Sequence, residues 1–331
     1  MKTRRIVLAS RPTAEASHDN FRLETIDLPP LTDGQLLVRN QWLSLDPYMR
    51  GRMSDAKSYA KPQALDETMV GGTAGEVIES RHPKFKVGDA VVGYLGRQEI
   101  GVSDGTNLQK VDTRQVPLSA YLGAVGMPGV TAWYGLNGII KPKAGETIIV
   151  SAASGAVGGV VGQLAKIGGC RAIGIAGGAD KCRYVVEDLK FDACIDYKSQ
   201  DVNKVLADVA PGGVDGYFEN VGGEIMNAVL PRMNAFGRIA VCGLIAGYGG
   251  EPIPITNPRL FLVSRLKLEG FIVFEHLDIW LQAQQELAGH VAGGRLRYRE
   301  TIAQGLESAP AALIGLLKGK NFGKQLVKLI D

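Results

Sequence analysis

Thr147-Ile148-Ile149-Val150-Ser151 runs into Ala152-Ala153-Ser154-Gly155-Ala156-Val157-Gly158-Gly159, then into residues 160–169, then into Cys170-Arg171-Ala172-Ile173-Gly174-Ile175-Ala176-Gly177-Gly178. The first piece is a short β-branched run, long enough for a buried strand. The second is a loop of small residues. The third has apolar residues at Val160, Val161, Leu164, Ala165 and Ile167, which is helical spacing. The fourth carries a second apolar run. Strand, glycine turn, helix, strand is a βαβ unit, and its turn reads Ala153-x-Gly155-x-x-Gly158. This matches the dinucleotide fingerprint with Ala in the first position. Gly155 lets backbone approach a pyrophosphate, Gly158 lets the helix pack closely on the strand, and the helix N-terminus offers N–H groups to phosphate, with Ala156 and Val157 between them. A tight strand-to-helix turn without a ligand is the alternative. In a chain with 43 Gly the glycine pattern alone is weak, and the flanking strand and helix give it weight.

Downstream, helical segments at 180–189, 201–210 and 224–232 alternate with strand segments at 193–197, 214–220 and 238–243, and 268–273 reads as a sixth strand. Such alternation predicts an α/β domain with a doubly wound parallel sheet. Ligands then meet the carboxyl ends of the strands, at Asn220-Val221-Gly222-Gly223 and Cys242-Gly243-Leu244-Ile245. Ordinary βα turns would read the same way. Upstream, short strand candidates at 4–9, 21–26, 35–43, 75–79 and 90–95 are separated by Gly, Pro and Asp clusters, predicting a β-rich, barrel-like antiparallel domain. Residues 131–138 look helical and lead into the βαβ unit. An amphipathic helix is expected at 279–292, and a terminal strand, Leu326-Val327-Lys328-Leu329-Ile330, returns to the first domain.

With 331 residues, two domains are expected. A net charge of +3 gives no footing for nucleic acid or a membrane surface, no apolar run approaches the ~20 residues that span a bilayer, and no secretory h-region opens the chain. The expected location is the cytoplasm. Cys170, Cys182, Cys194 and Cys242 form no C-x-x-C pair, and no His stands near them in sequence. They read as small buried hydrophobes rather than disulfides or zinc ligands, and no metal site is expected.

Where NAD is the cofactor, an acid is expected about 20 residues into the fingerprint, at the end of the second strand. Here that strand ends at Ala176 and is followed by Gly177-Gly178. Nothing there repels a 2′-phosphate. Asp180 comes too late and is read as the cap of the next helix, with Lys181 and Arg183 supplying cationic donors. The cofactor read from this pattern is NADP(H).

Seven ordered motifs then carry a resemblance over the whole length. They are Asp46-Pro47-Tyr48-Met49-Arg50-Gly51-Arg52-Met53, Gly126-Met127-Pro128-Gly129-Val130-Thr131-Ala132, the loop from Ala152 to Gly159, Glu219-Asn220-Val221-Gly222-Gly223, Cys242-Gly243-Leu244-Ile245 with Tyr248, Glu269-Gly270-Phe271-Ile272-Val273, and Lys320-Asn321-Phe322-Gly323-Lys324. The chain resembles the zinc-free medium-chain dehydrogenase/reductases, in the branch of leukotriene B4 12-hydroxydehydrogenase/prostaglandin reductase, alkenal double-bond reductases and curcumin reductase. Zinc alcohol dehydrogenases of that superfamily carry Gly-His-Glu where this chain reads Gly71-Gly72-Thr73-Ala74-Gly75-Glu76.

The resemblance implies a GroES-like substrate and catalytic domain over 1–127, completed by 298–331, and a Rossmann NADP-binding domain over 128–297. It implies NADPH-dependent reduction of the carbon–carbon double bond of α,β-unsaturated ketones and aldehydes, without metal, by a homodimer. It places the 2′-phosphate at Lys181 with Tyr197. One extra residue separates those two here, and Lys190 replaces a usual glycine. Tyr248 is implied as the hydroxyl donor to the developing enolate oxygen, with Tyr48 as a second candidate. Met127, Thr131, Phe271, Ile272, Val273 and Asn321 are implied near the nicotinamide end. Quinone reduction, secondary alcohol oxidation and a crystallin-like NADPH-binding role are the competing readings.

Overall fold

β-Branched and apolar residues set the first strand, β1 (Lys2–Leu8), which pairs antiparallel with β2 (Phe21–Asp27) as a two-stranded sheet. The computed structural model describes residues 1–330. Its chain divides into two units: Met1–Gly123 together with the segment from Glu300 on, and Ala124–Arg299.

In the first unit, β3 (Leu36–Leu45) leads into a short helix, α1 (Tyr48–Arg52), and is followed by β4 (Thr73–Ser80), β5 (Ala90–Gly93), β6 (Ile100–Ser103) and β7 (Gln109–Lys110). β3 pairs with β4 on one side and β6 also bonds to it. Enclosed by partners, it buries Leu36, Leu37, Val38, Leu43 and Leu45 and shows no simple alternation.

The second unit opens with α2 (Met127–Tyr134), where helical turns continue as a π-helical stretch, Gly135–Ile140, ended by Lys141 at φ 50°. Glycine is needed at its start. A Cβ on Gly135 would stand 2.4 Å from the Phe218 ring. Then come β8 (Thr147–Ser151), α3 (Gly158–Ile167), β9 (Arg171–Ala176), α4 (Ala179–Glu187), β10 (Ala193–Asp196), α5 (Val202–Val209), β11 (Val214–Glu219), α6 (Gly223–Val229), β12 (Met233–Val241), α7 (Arg259–Val263), β13 (Lys267–Gly270) and α8 (Trp280–Ala292). All six strands are parallel, in the order β10-β9-β8-β11-β12-β13. The period of two sorts their side chains. Ile148, Val150, Ala172, Phe218 and Ala240 enter one core with α2, α3 and α8, while Ile149, Ile173, Tyr217 and Ile239 enter another with α5 and α6. This is the doubly wound α/β sheet read from the sequence, and its order reverses between β8 and β11.

The chain then returns to the first unit with β14 (Glu300–Gln304), α9 (Ala309–Leu317) and β15 (Lys324–Lys328). β15 pairs antiparallel with β3, bringing Gln325 opposite Leu45, and parallel with β14. The terminal strand therefore lies two residues earlier than expected. β13 stops at Gly270, short of the expected 273, because Phe271 and Val273 turn into the core and the chain bends into a 3₁₀ turn at Val273–Glu275. Among the described residues no helix is long and apolar enough to cross a membrane.

Candidate functional site

The glycine turn lies at the carboxyl end of β8. Ala152 takes a left-handed conformation, φ 50°, its carbonyl accepts Gly155 N–H at 2.9 Å, and Ala153 N–H donates to Ile175 O at 3.0 Å. A Cβ on Gly158 would stand 2.5 Å from Ala152 O and 3.0 Å from Ala153 Cα, all backbone that cannot step aside, so the start of α3 is seated on the turn as expected. At Gly155 an added Cβ would meet only Ala152 O, at 3.1 Å, which leaves the turn's outer side open to approach. No side chain caps α3 at Val157; Gly159 N–H and Val160 N–H donate to Gly155 O and Val157 O, both at 3.0 Å, so the positive end of the helix dipole is presented at the turn from Ala156 to Gly158.

The end of β9 carries no acid of its own, and the structure brings together around it the residues the sequence named separately. Tyr197 packs over Gly177, where a Cβ would stand 2.8 Å from the phenol ring. Lys181, third residue of α4, is half-buried. Burial and then the charge of Lys198 lower its pKa, so the two ammoniums share one neighbourhood. The backbone of this corner is held by Asp196, whose Oδ1 accepts Gly178 N–H at 2.7 Å and Lys198 N–H at 3.0 Å, while Oδ2 accepts the Ser199 hydroxyl at 2.7 Å. Those bonds, Ser199 first, hold the carboxyl below its usual range. Lys190, standing for the usual glycine, takes φ 63°. Asp180 does not cap α4. The cap position is Gly178, at φ 109°, a conformation open to glycine, and Asp180 lies inside the first turn, ion-paired with Arg183 at 3.2 Å. Neither Asp196 nor Lys198 was singled out in the sequence.

Across the strand-order reversal, β8 and β11 are bolted by a buried network. The Ser151 hydroxyl donates to Glu219 Oε1 at 2.7 Å and accepts Asn220 N–H at 2.7 Å, and Asn220 Nδ2 donates to Ser151 O at 2.8 Å. Tyr217 and Val221 N–H donate to the same Glu219 carboxylate. Glu219 O accepts Cys242 N–H at 2.9 Å and Gly243 N–H at 3.3 Å, while Ile245 N–H and Ala246 N–H donate to Asn220 O and Val221 O. The segments 220–221 and 242–245 thus form one shelf. Tyr248 closes it: a Cβ on Gly243 would meet the Tyr248 hydroxyl at 3.4 Å. Leu244 and Val221 side chains pack partly into the sheet's core. Burial pushes the Cys242 thiol up to about 12.

Met127 and Thr131 start α2, where the Thr131 hydroxyl donates to Met127 O at 2.7 Å. Phe271 and Val273 are core side chains, Phe271 edge-on to Phe218, so what they offer a ligand is backbone, and Ile272 between them is half-buried.

In the first unit, Tyr48 opens α1 directly after β3. Lys324 Nζ, fully buried, donates to Leu45 O at 2.6 Å and to Asp46 Oδ1 at 2.9 Å, and Ser44 donates to the other Asp46 oxygen. Burial, then the Asp46 charge, hold the Tyr48 hydroxyl above the ordinary phenol range, so it stays a donor. Arg97 is buried beside it, its Nη2 on Met49 Sδ at 3.4 Å and its guanidinium over the Phe21 ring, and burial lowers its pKa to about 10. Asn321 turns inward, donating to Gly323 O at 2.8 Å.

All four cysteines are free thiols. Cys170 is buried as expected, but Cys182, Cys194 and Cys242 are partly exposed, and Cys182 and Cys194 touch each other. Among the described residues no group of three or more His, Cys, Asp or Glu side chains is placed to hold a metal ion.

Two family models match: the N-terminal domain of oxidoreductase over residues 4–111 and the zinc-binding dehydrogenase model over 156–288. The chain is 46% identical to the NADPH-dependent curcumin reductase of Escherichia coli, over 99% of this chain and 97% of that protein. It is 39% identical to the NADP(+)-dependent 2-alkenal reductase of Nicotiana tabacum, over 99% and 97%. The crystal structure of CurA from Vibrio vulnificus in complex with NADPH superposes with a TM-score of 0.94 at 46% identity, over 99% of each chain. With those matches set beside the glycine turn, the Gly177-Gly178 end of β9 and the tyrosine above Gly243, the chain belongs to the zinc-free medium-chain dehydrogenase/reductases, in the branch of curcumin, prostaglandin and alkenal reductases.

Proposed function

We propose that this protein is an NADPH-dependent reductase of the carbon–carbon double bond of α,β-unsaturated ketones and aldehydes. The observation that carries the reading is the corner at the end of β9, where Gly177, Lys181, Tyr197 and Lys198 surround a strand end with no free carboxylate. It adjoins a glycine turn made for a pyrophosphate. A dianionic 2′-phosphate fits two ammoniums and a phenol there, and the 155–158 turn with the α3 amides fits the pyrophosphate.

NADPH, when bound, supplies the hydride that adds to the β-carbon of the substrate. The chain's own task is to stabilise the negative charge this pushes onto the carbonyl oxygen. Tyr248 is the donor we assign to that oxygen, held over Gly243 by the shelf that Glu219 and Asn220 build. A phenol with pKa near ~10 is protonated at neutral pH, and its bond strengthens as the acceptor becomes anionic. Tyr48, whose proton is held still more firmly, is the second candidate. Met127, Thr131, Ile272 and Asn321 are assigned to the nicotinamide end on the same footing, with Phe271 and Val273 contributing backbone.

The division of labour follows: residues 128–297 bind the nucleotide, and residues 1–127 with 298–331 receive the substrate. The chain works as a homodimer joined at the sheet edge β13, where Leu268 is exposed and Leu262 and Val263 are exposed on the preceding α7, and in the cytoplasm, where four free thiols persist. Light scattering tests the dimer. The function is tested by NADPH oxidation against a panel of alkenals, enones and quinones with product identification. Saturated ketones and aldehydes are the expected products, and turnover confined to quinones or to alcohol oxidation would replace this reading.

A further inference from the structure

Cys182 and Cys194 have no part in the chemistry above. Cys182 shares the inward face of α4 with Val185, three residues on, and Cys194 alternates with the buried Ile195 so that it faces α4 rather than α5. Packing of α4 on β10 then brings the two sulfurs into contact at 2.7 Å. Both residues are partly exposed, unlike Cys170, which is buried.

We infer that Cys182 and Cys194 form a reversible dithiol–disulfide site whose state is coupled to the 2′-phosphate corner. A disulfide is about 2.05 Å long, so the bond forms with sub-ångström motion of α4 against β10. Cys182 stands near the N-terminus of α4, whose dipole favours a thiolate, whereas Cys194 lies in the strand β10. Contact between the two lowers the Cys182 thiol's pKa and raises that of Cys194, and this makes Cys182 the attacking sulfur.

The oxidant is a hydroperoxide. The Cys182 thiolate attacks one peroxide oxygen, the O–O bond breaks, and the departing alkoxide takes up a proton as the alcohol, leaving Cys182 as a sulfenic acid. The Cys194 sulfur then attacks the sulfenic sulfur, the S–O bond breaks, and hydroxide leaves as water with the Cys194 proton. Two thiols and one hydroperoxide become one disulfide, one alcohol and one water, and both electrons come from the sulfurs. A dithiol reductant reverses the process.

The coupling is built into the chain. Lys181 immediately precedes Cys182 on α4, and Tyr197 follows Cys194 by two residues, at the end of β10. Tethering the two elements shifts Lys181 against Tyr197. This consequence rests on the cofactor reading above, whereas the disulfide itself does not.

The test treats the reduced full-length protein with a small excess of hydrogen peroxide, then compares intact mass and non-reduced peptides. A single 182–194 linked peptide is expected, with the mass of two hydrogens lost and restored by dithiothreitol. Cys194→Ser should instead leave a sulfenic acid on Cys182 that dimedone traps, and Cys182→Ser should leave neither product. Circular dichroism shows whether each variant is folded. Sulfinic and sulfonic additions with no linked peptide, from the folded wild-type protein, would overturn the site. For the coupling, the oxidised protein should bind NADPH at least about threefold more weakly than the reduced, and saturating NADPH should lower the disulfide-to-dithiol equilibrium constant, measured in a thiol–disulfide redox buffer, by the same factor. Equal affinities of the two states would overturn the coupling. Failure of the reduced protein to bind NADPH at all would refute the cofactor reading while the linked peptide stood.

Discussion

Replacing Lys181 by Ala tests the cofactor reading at its most exposed point. The ammonium lies half-buried in the first turn of α4, near Lys198, and both surroundings disfavour its charge. A phosphate dianion between the two lysines reverses that, so the charge is worth most when NADPH is bound. A hydrogen bond to a charged group contributes ~1.5–3 kcal/mol. Half-burial leaves water to compete, and relief of the Lys181–Lys198 repulsion in the unliganded variant takes a further share, so we work with ~2 kcal/mol, about 30-fold in affinity. Titration of protein fluorescence with NADPH and with NADH is the assay. The expected result is a Kd for NADPH raised about 30-fold and a Kd for NADH changed by less than about twofold, because NADH has no phosphate to lose. The melting temperature should stay within about a degree, since the side chain removed is only half-buried and stands beside a like charge. An equal change for both cofactors would remove Lys181 from the phosphate site. A large effect of Lys198→Ala with none for Lys181→Ala would move the site to the β10 end of the corner.

Tyr248→Phe should lower kcat and kcat/KM together by up to about 100-fold with NADPH affinity unchanged, the signature of a donor used in the transition state. If Tyr48→Phe alone has that effect, the donor is in the first unit. Gly158→Ala puts a methyl 2.5 Å from Ala152 O, and differential scanning calorimetry should register a loss of ~1–3 kcal/mol together with weaker NADPH binding. Lys324→Ala leaves Asp46 buried without its cation, and urea unfolding should show a loss of ~3–5 kcal/mol; a cost under ~1 kcal/mol would mean that water reaches the pair. Exhaustive chelation should leave turnover within about twofold, and stoichiometric zinc lost together with activity would contradict the metal-free reading.

What the sequence by itself determined was the part whose physics is local. The fingerprint turn, its strand and its helix lie within one continuous stretch, so residues 147–178 show the fold class and the glycine turn proposed to cradle a pyrophosphate, and the missing acid at Gly177-Gly178 pointed to NADP rather than NAD. Alternation of helical and strand periods predicted the doubly wound sheet, because each element has to bury one face. Elements lacking a clean period went unread: β7 has two residues, and Ala309–Leu317, which became α9, is apolar almost all round. Resemblance supplied Tyr48, Tyr197 and Tyr248, which spacing would not have isolated. Only the tertiary structure decided the rest, since it depends on atoms far apart in the chain. Asp196 reaches back to Gly178, Ser151 meets Glu219 across 68 residues, Lys324 finds Asp46 across 278, and Cys182 meets Cys194 only because a helix lies on a strand. A polar or sulfur side chain announces no partner in one dimension. Whether it caps, bolts strands together or awaits an oxidant is settled when the chain's close packing places the other atom at bonding distance.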